Sequence, residues 1–162
     1  MEVRLVTIEP FNKDGIEFRN EMHYHFFITK FAESKTKDTY QQALIYLLGL
    51  TEDTREHYHI IYNARSEMIQ YTSLFEEWVA STSARIIRLA FNLFTGGVPT
   101  AYIEDEEGHF GEARQYSVSE IMCDPLQRYF MQAIKLRYPN YVSEYGYEQE
   151  QGKEDLTSPT SD

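Results

Sequence analysis

The stretch Ser83-Ala84-Arg85-Ile86-Ile87-Arg88-Leu89-Ala90-Phe91-Asn92-Leu93-Phe94 decides the fold. Ile86, Leu89, Ala90, Leu93 and Phe94 recur at three- and four-residue intervals, which lays one apolar stripe along an α-helix. Thr82 or Ser83 offers a capping oxygen at its start. Gly96-Gly97 ends it, where a left-handed residue costs least.

The same period runs outward in both directions. Upstream, Phe18, Met22, Phe26, Phe27 and Phe31 predict a helix over about residues 17–34. Tyr40, Leu44 and Leu47 predict a second, closed at Gly49 by a left-handed cap. Thr51 caps a third, with Glu52 and Asp53 in its first turn and Tyr58, Ile61 and Tyr62 facing inward. Ser73 caps a shorter piece through Phe75, Trp78 and Val79. Downstream, Ser117-Val118-Ser119-Glu120 reads as a capping box. Asp124-Pro125 opens a last helix that buries Leu126, Tyr129, Phe130, Ala133 and Ile134 and stops at Pro139. Residues 3–8 alternate weakly and read as one strand, and no repeat period emerges.

Two segments depart from this pattern. Residues 96–116 hold Gly96, Gly97, Pro99, Gly108 and Gly111 around the run Glu104-Asp105-Glu106-Glu107, which reads as a long loop with a short β-hairpin at 101–103 and 113–116. Residues 142–162 carry six acids against Lys153 alone, a net −5 of the chain's −11, and read as an acidic flexible tail. The expectation is a mainly α, single-domain bundle of about six helices over 1–141, followed by a disordered acidic appendage.

Composition narrows the function. At 162 residues, the chain has room for one core and not two. Its 26 acids against 15 bases oppose general phosphate binding, so direct nucleic-acid contact is not expected. No window reaches the ~20 apolar residues of a membrane span, and the first ten residues lack a signal peptide's pattern. One cysteine, Cys123, excludes an internal disulfide framework and multi-cysteine zinc, and its acidic neighbours Glu120 and Asp124 discourage a thiolate. The chain reads as a soluble, cytoplasmic protein.

Several stretches resemble one small family in the same order: Ala43-Leu44-Ile45-Tyr46-Leu47-Leu48-Gly49, Thr54-Arg55-Glu56-His57, residues 83–94, Ser119-Glu120-Ile121 and Ala133-Ile134-Lys135-Leu136-Arg137-Tyr138-Pro139. That family is catalogued as a domain of unknown function (number 6075), found in clostridia, their relatives and their phages. The resemblance covers about residues 17–141, is most specific around residues 85–94, and places His23 at the family's early helical histidine. It implies a setting of phages and mobile elements. By analogy with small acidic phage proteins, it implies a blocker of a host defence or replication protein.

Three sets of residues carry possible chemistry. His23-Tyr24-His25 and His57-Tyr58-His59 each space two histidines by two residues, about 200° apart on a helix, so neither pair makes one metal site. A composite site would need one histidine from each pair plus Glu21 or Glu56; no metal or cofactor is expected. Arg85, Arg88 and Asn92 share a polar helix face, and with Arg55, His57 and Arg137 could form an anion pocket or pair with acids such as Asp53, Glu120 or Asp124. No nucleophile motif or phosphate-binding glycine loop is present, and enzymatic function is not the leading expectation. Glu104, Asp105, Glu106 and Glu107, with Phe110 and Tyr102 as anchors, could face a basic partner surface of the kind that holds nucleic acid. The leading expectation is therefore a stoichiometric, anti-CRISPR-like inhibitor binding a basic host protein. The rivals are a small-ligand or phosphate site on the arginine face, and a structural adaptor.

Overall fold

The computed structural model describes residues 11–100 and 103–142. Its centre is α2 (Thr39–Leu48), in which Ala43, Leu44, Ile45, Tyr46, Leu47 and Leu48 are all fully buried. A helix apolar on every side must be enclosed, and three helices enclose this one: α1 (Glu21–Glu33), α5 (Ser81–Thr95) and α8 (Gln127–Arg137). Asp38 starts α2 by accepting the Gln41 N–H at 2.9 Å. On α5, Ile86, Leu89, Ala90 and Leu93 of the expected stripe are buried and Phe94 is half-buried, while Ile87 and Phe91, outside that stripe, are buried as well. Gly96 caps it in the left-handed conformation at φ 73°.

The chain enters through a hairpin, β1 (Phe11–Lys13) and β2 (Ile16–Phe18), paired antiparallel with Phe11 opposite Phe18. Asp14 and Gly15, at φ 53° and 78°, make its two-residue turn, the geometry that matches strand twist. The helix expected from about residue 17 therefore starts at Glu21, capped by Asn20, whose side chain accepts the His23 N–H at 2.9 Å. Phe18 belongs to the strand and Met22 is exposed, so only part of the expected stripe faces the core.

Gly49 closes α2 in the right-handed region, at φ −82°, and not by the left-handed cap expected there. It is glycine for space: a Cβ would lie 2.8 Å from both His23 Cδ2 and Phe26 Cδ1. Thr51 caps as expected, yet the third helix breaks at His57 into α3 (Glu52–Glu56) and α4 (Tyr58–Ile61). Tyr62 then enters β3 (Tyr62–Asn63), which pairs with β4 (Met68–Ile69). Ser73 is no helix cap. It sits inside a 3-10 turn, Tyr71–Phe75, and its hydroxyl donates to the Gln70 carbonyl at 2.6 Å, leaving Phe75 exposed.

Within the expected acidic loop, residues 96–116, the stretch Glu106–Arg114 is a helix, α6. Asp105 caps it by accepting the Gly108 N–H at 2.6 Å, and Glu106 and Glu107 fill the first turn, where the helix dipole favours carboxylates. Ala113 and Arg114 are thus helical and form no hairpin arm; Ala101 and Tyr102 lie outside the described residues. Ser117 starts α7 (Val118–Met122) by accepting the Glu120 N–H, one half of the expected box. Asp124 accepts the Leu126 N–H at 2.9 Å, so the last long helix begins two residues past Pro125, and α9 (Pro139–Val142) follows it. Residues 3–8 and 143–162, the expected strand and nearly all of the acidic tail, lie outside the described residues. Among the described residues no helix is long and apolar enough to cross a membrane.

Candidate functional site

Two side chains that the sequence singled out, His23 and Arg55, together with Arg19, finish α2. A helix end leaves carbonyls without partners, and burying them unmet is costly. His23, fully buried, lies 2.7 Å from the Tyr46 carbonyl through Nε2 and 3.0 Å from the Arg19 N–H through Nδ1. Those partners require a proton on Nε2 and a lone pair on Nδ1, so the imidazole is neutral. Burial, chiefly, pushes its pKa down to about 4, and Arg55 and Arg19 nearby act the same way. Arg55 donates to the Gly49 carbonyl at 2.8 Å and Arg19 to the Leu50 carbonyl at 3.0 Å, placing cations where the helix dipole is negative. Burial, first, holds the Arg55 guanidinium below its ordinary range.

His57 lies flat on Trp78, ring centroids 4.0 Å apart and planes at 6°, with Nδ1 2.7 Å from the Asp53 carbonyl. Among the described residues no group of three or more His, Cys, Asp or Glu side chains is placed to hold a metal ion.

The polar face of α5 is tied to the chain's own acids. Arg85 reaches Asp124 Oδ2 at 3.1 Å and the Glu120 carbonyl at 3.0 Å. The Asp124 side chain is fully buried, and its Oδ2 also accepts the Thr82 hydroxyl at 3.0 Å. Arg88 grips Glu112 of α6 with two parallel bonds. Asn92 donates to the Gly97 carbonyl at 2.9 Å. Arg137 donates to the Leu93 carbonyl at 3.0 Å and rests 3.5 Å above the Tyr40 ring. Of the anion-site candidates, Arg85 and Arg88 share one cavity of about 310 Å³, together with Ser81, Gln115 and Glu120; Arg55, His57 and Asn92 do not line it.

The acidic candidates occupy the other helix. Glu104, Asp105, Glu106 and Glu107 are all exposed, and among the described residues none makes an ion pair. Phe110, one turn on, is 62% exposed. Glu106, Glu107, Phe110, Gly111 and Arg114 line an open cleft of about 470 Å³. The face is presented by a helix whose one buried residue is Glu112. Sequence reasoning missed both Glu112 and Arg19. Glu112 had a faint signal, an acid at the seventh residue of a helix whose start is marked by Asp105-Glu106-Glu107; Arg19 had none.

A model described as a family of unknown function (DUF6075) matches residues 13–150, and the chain belongs to that family. No curated protein and no solved structure matches it.

Proposed function

We propose that this protein acts by stoichiometric binding, docking the amino-terminal face of α6 on a basic protein surface. The observation that carries the reading is Phe110: a large aromatic, mostly exposed, beside four carboxylates that the chain leaves unpaired among the described residues. An aromatic anchor inside a charged rim is the usual make-up of an interface hot spot. Surplus charge steers the encounter, and basic surfaces built to hold nucleic acid are its natural complement. In the setting of phages and mobile elements, an anti-CRISPR-like inhibitor of a host nucleic-acid-binding protein, acting in the cytoplasm, is the most concrete form.

The partner is identified by pull-down from a bacterial host with mass-spectrometric identification. The test then compares wild type with Glu104→Gln, Asp105→Asn, Glu106→Gln, Glu107→Gln combined, in which Asn keeps the helix cap. The variant is expected to bind more weakly, with a flatter salt dependence. Equal affinity at low and high salt refutes the reading.

One observation favours a second reading. Arg85 and Arg88 line one cavity with Ser81, at the start of a helix that Ala80 leaves without a side-chain cap. An anion such as phosphate fits that chemistry. A thermal shift produced by phosphate or nucleotides, and abolished in Arg85→Gln, supports it; no shift with any of them removes it.

A further inference from the structure

A cavity of about 320 Å³ lies between the carboxyl end of α1 and the turn from α4 into β3, and it shares no residue with the α6 face. That size is at the small end of ligand pockets. Tyr58 and Tyr62, both buried, line it with their rings 5.8 Å apart. Phe26 backs Tyr58 edge-on at 5.3 Å. Gln41 holds the Tyr62 hydroxyl with two bonds, at 3.0 and 3.2 Å. The Tyr58 hydroxyl has no hydrogen-bond partner among the described residues, although the residue is only 8% exposed. That hydroxyl is not among the fully enclosed unpartnered atoms, so it is open to the cavity and has a hydrogen bond to give to a molecule held there. Burial pushes the Tyr58 pKa up, which keeps that hydroxyl protonated.

Both walls are fixed in advance. Lys37 Nζ closes α1 by donating to the Phe31, Ala32 and Ser34 carbonyls at 3.1, 2.9 and 2.8 Å. Lys35 donates to the Arg65 carbonyl at 3.0 Å, and the Glu67 carboxylate accepts the Thr36 N–H and O–H at 3.1 and 2.9 Å. Those bonds strap the segment after α1 to the β3–β4 hairpin, so little ordering is left for binding to accomplish.

The charge at the rim is already cancelled. Lys30 Nζ stands 3.4 Å from Glu33 and 5.4 Å from the Tyr58 ring centroid. That ammonium occupies the place a cationic ligand would take. Glu33 leaves no surplus positive charge for a phosphate. Asn63 adds the two donors of its amide, its Oδ1 already accepting the Arg65 and Ser66 N–H groups at 3.0 and 3.1 Å. The geometry points to a binding site for an uncharged, planar heteroaromatic molecule of nucleobase or nucleoside size, lying against the wall that Tyr58 and Tyr62 form and hydrogen-bonded through the Tyr58 hydroxyl and the Asn63 amide donors.

The test titrates the full chain with adenosine, guanosine, cytidine and uridine, by calorimetry and by amide chemical shifts. At least one nucleoside is expected to saturate with a Kd on the order of 100 µM and to shift the Asn63 and Ala64 amides. Ala64→Trp, at the exposed rim, is expected to weaken binding at least tenfold with an unchanged melting temperature. Tyr58→Phe keeps the ring and is expected to weaken it severalfold. No saturation below about 5 mM for any of the four overturns the site. So does undiminished binding by Ala64→Trp. A 5′-monophosphate that binds tenfold tighter than its nucleoside also overturns it, since that marks an anion site.

Discussion

Arg88 and Glu112, separated by 24 residues in the chain, are joined side by side, Nε to Oε1 at 2.8 Å and Nη2 to Oε2 at 3.0 Å. Both side chains are mostly buried, and Glu112 is the one buried residue of α6. The pair is the fastening that sets the acidic face of α6 against the core helix α5.

Removing one partner strands the other charge in a dry place. Glu112→Ala is expected to lower stability by about 3 kcal/mol, while Arg88→Met with Glu112→Leu recovers most of it. Urea unfolding midpoints measure both. Hydrogen exchange across α6 should rise in the single variant alone.

The buried histidine makes stability fall with acid. The folded-state pKa of His23, about 4, lies below its ordinary 6.5, so the folded chain resists taking the proton. Its contribution is complete above about pH 6.5, declines as pH falls, and is lost below about pH 4, a change of about 3 kcal/mol. His23→Gln is expected to be less stable at pH 7.5. The gap between it and wild type should narrow toward pH 4.5 in urea titrations.

Two glycines should fail for opposite reasons. Gly49→Ala meets His23 and Phe26 at 2.8 Å with an ordinary backbone, an overpacking cost of about 2 kcal/mol. Gly96→Ala meets nothing within 4 Å, and at φ 73° costs about 1 kcal/mol in backbone strain. Melting temperatures rank the two.

Aromatics at the surface and in the core should separate cleanly. Phe110→Ser is expected to leave stability within about 0.5 kcal/mol of wild type while weakening partner binding. Phe130→Ala, fully buried on α8, is expected to cost about 3–5 kcal/mol. Calorimetric melting of both variants, beside a binding measurement on the first, checks this.

Local signals were legible where neighbours in sequence act on one another. The stripe from Ile86 to Leu93, the left-handed Gly96, and the oxygens of Thr51 and Ser117 were readable because helix period and capping are settled within a few residues. Two further local signals were present and passed over. Asp14-Gly15 between apolar residues marks a hairpin, and Asp105-Glu106-Glu107 marks a helix start, although nearby glycines made the latter look like a loop.

By itself, then, the sequence determined a mainly helical chain with its clearest apolar stripe on α5, and a cluster of carboxylates ahead of Phe110; that α2 lies at the centre, with Tyr40 of its expected stripe exposed, came from the packing. The tertiary structure alone decided what the polar residues do. His23 meets the Tyr46 carbonyl, Arg88 finds Glu112, and Arg85 finds Asp124 across 23, 24 and 39 residues. No spacing rule reaches so far: which acid or carbonyl a buried cation answers depends on how the helices pack, and packing is set by the summed fit of apolar faces, while each buried polar group takes the partner that this fit leaves within reach.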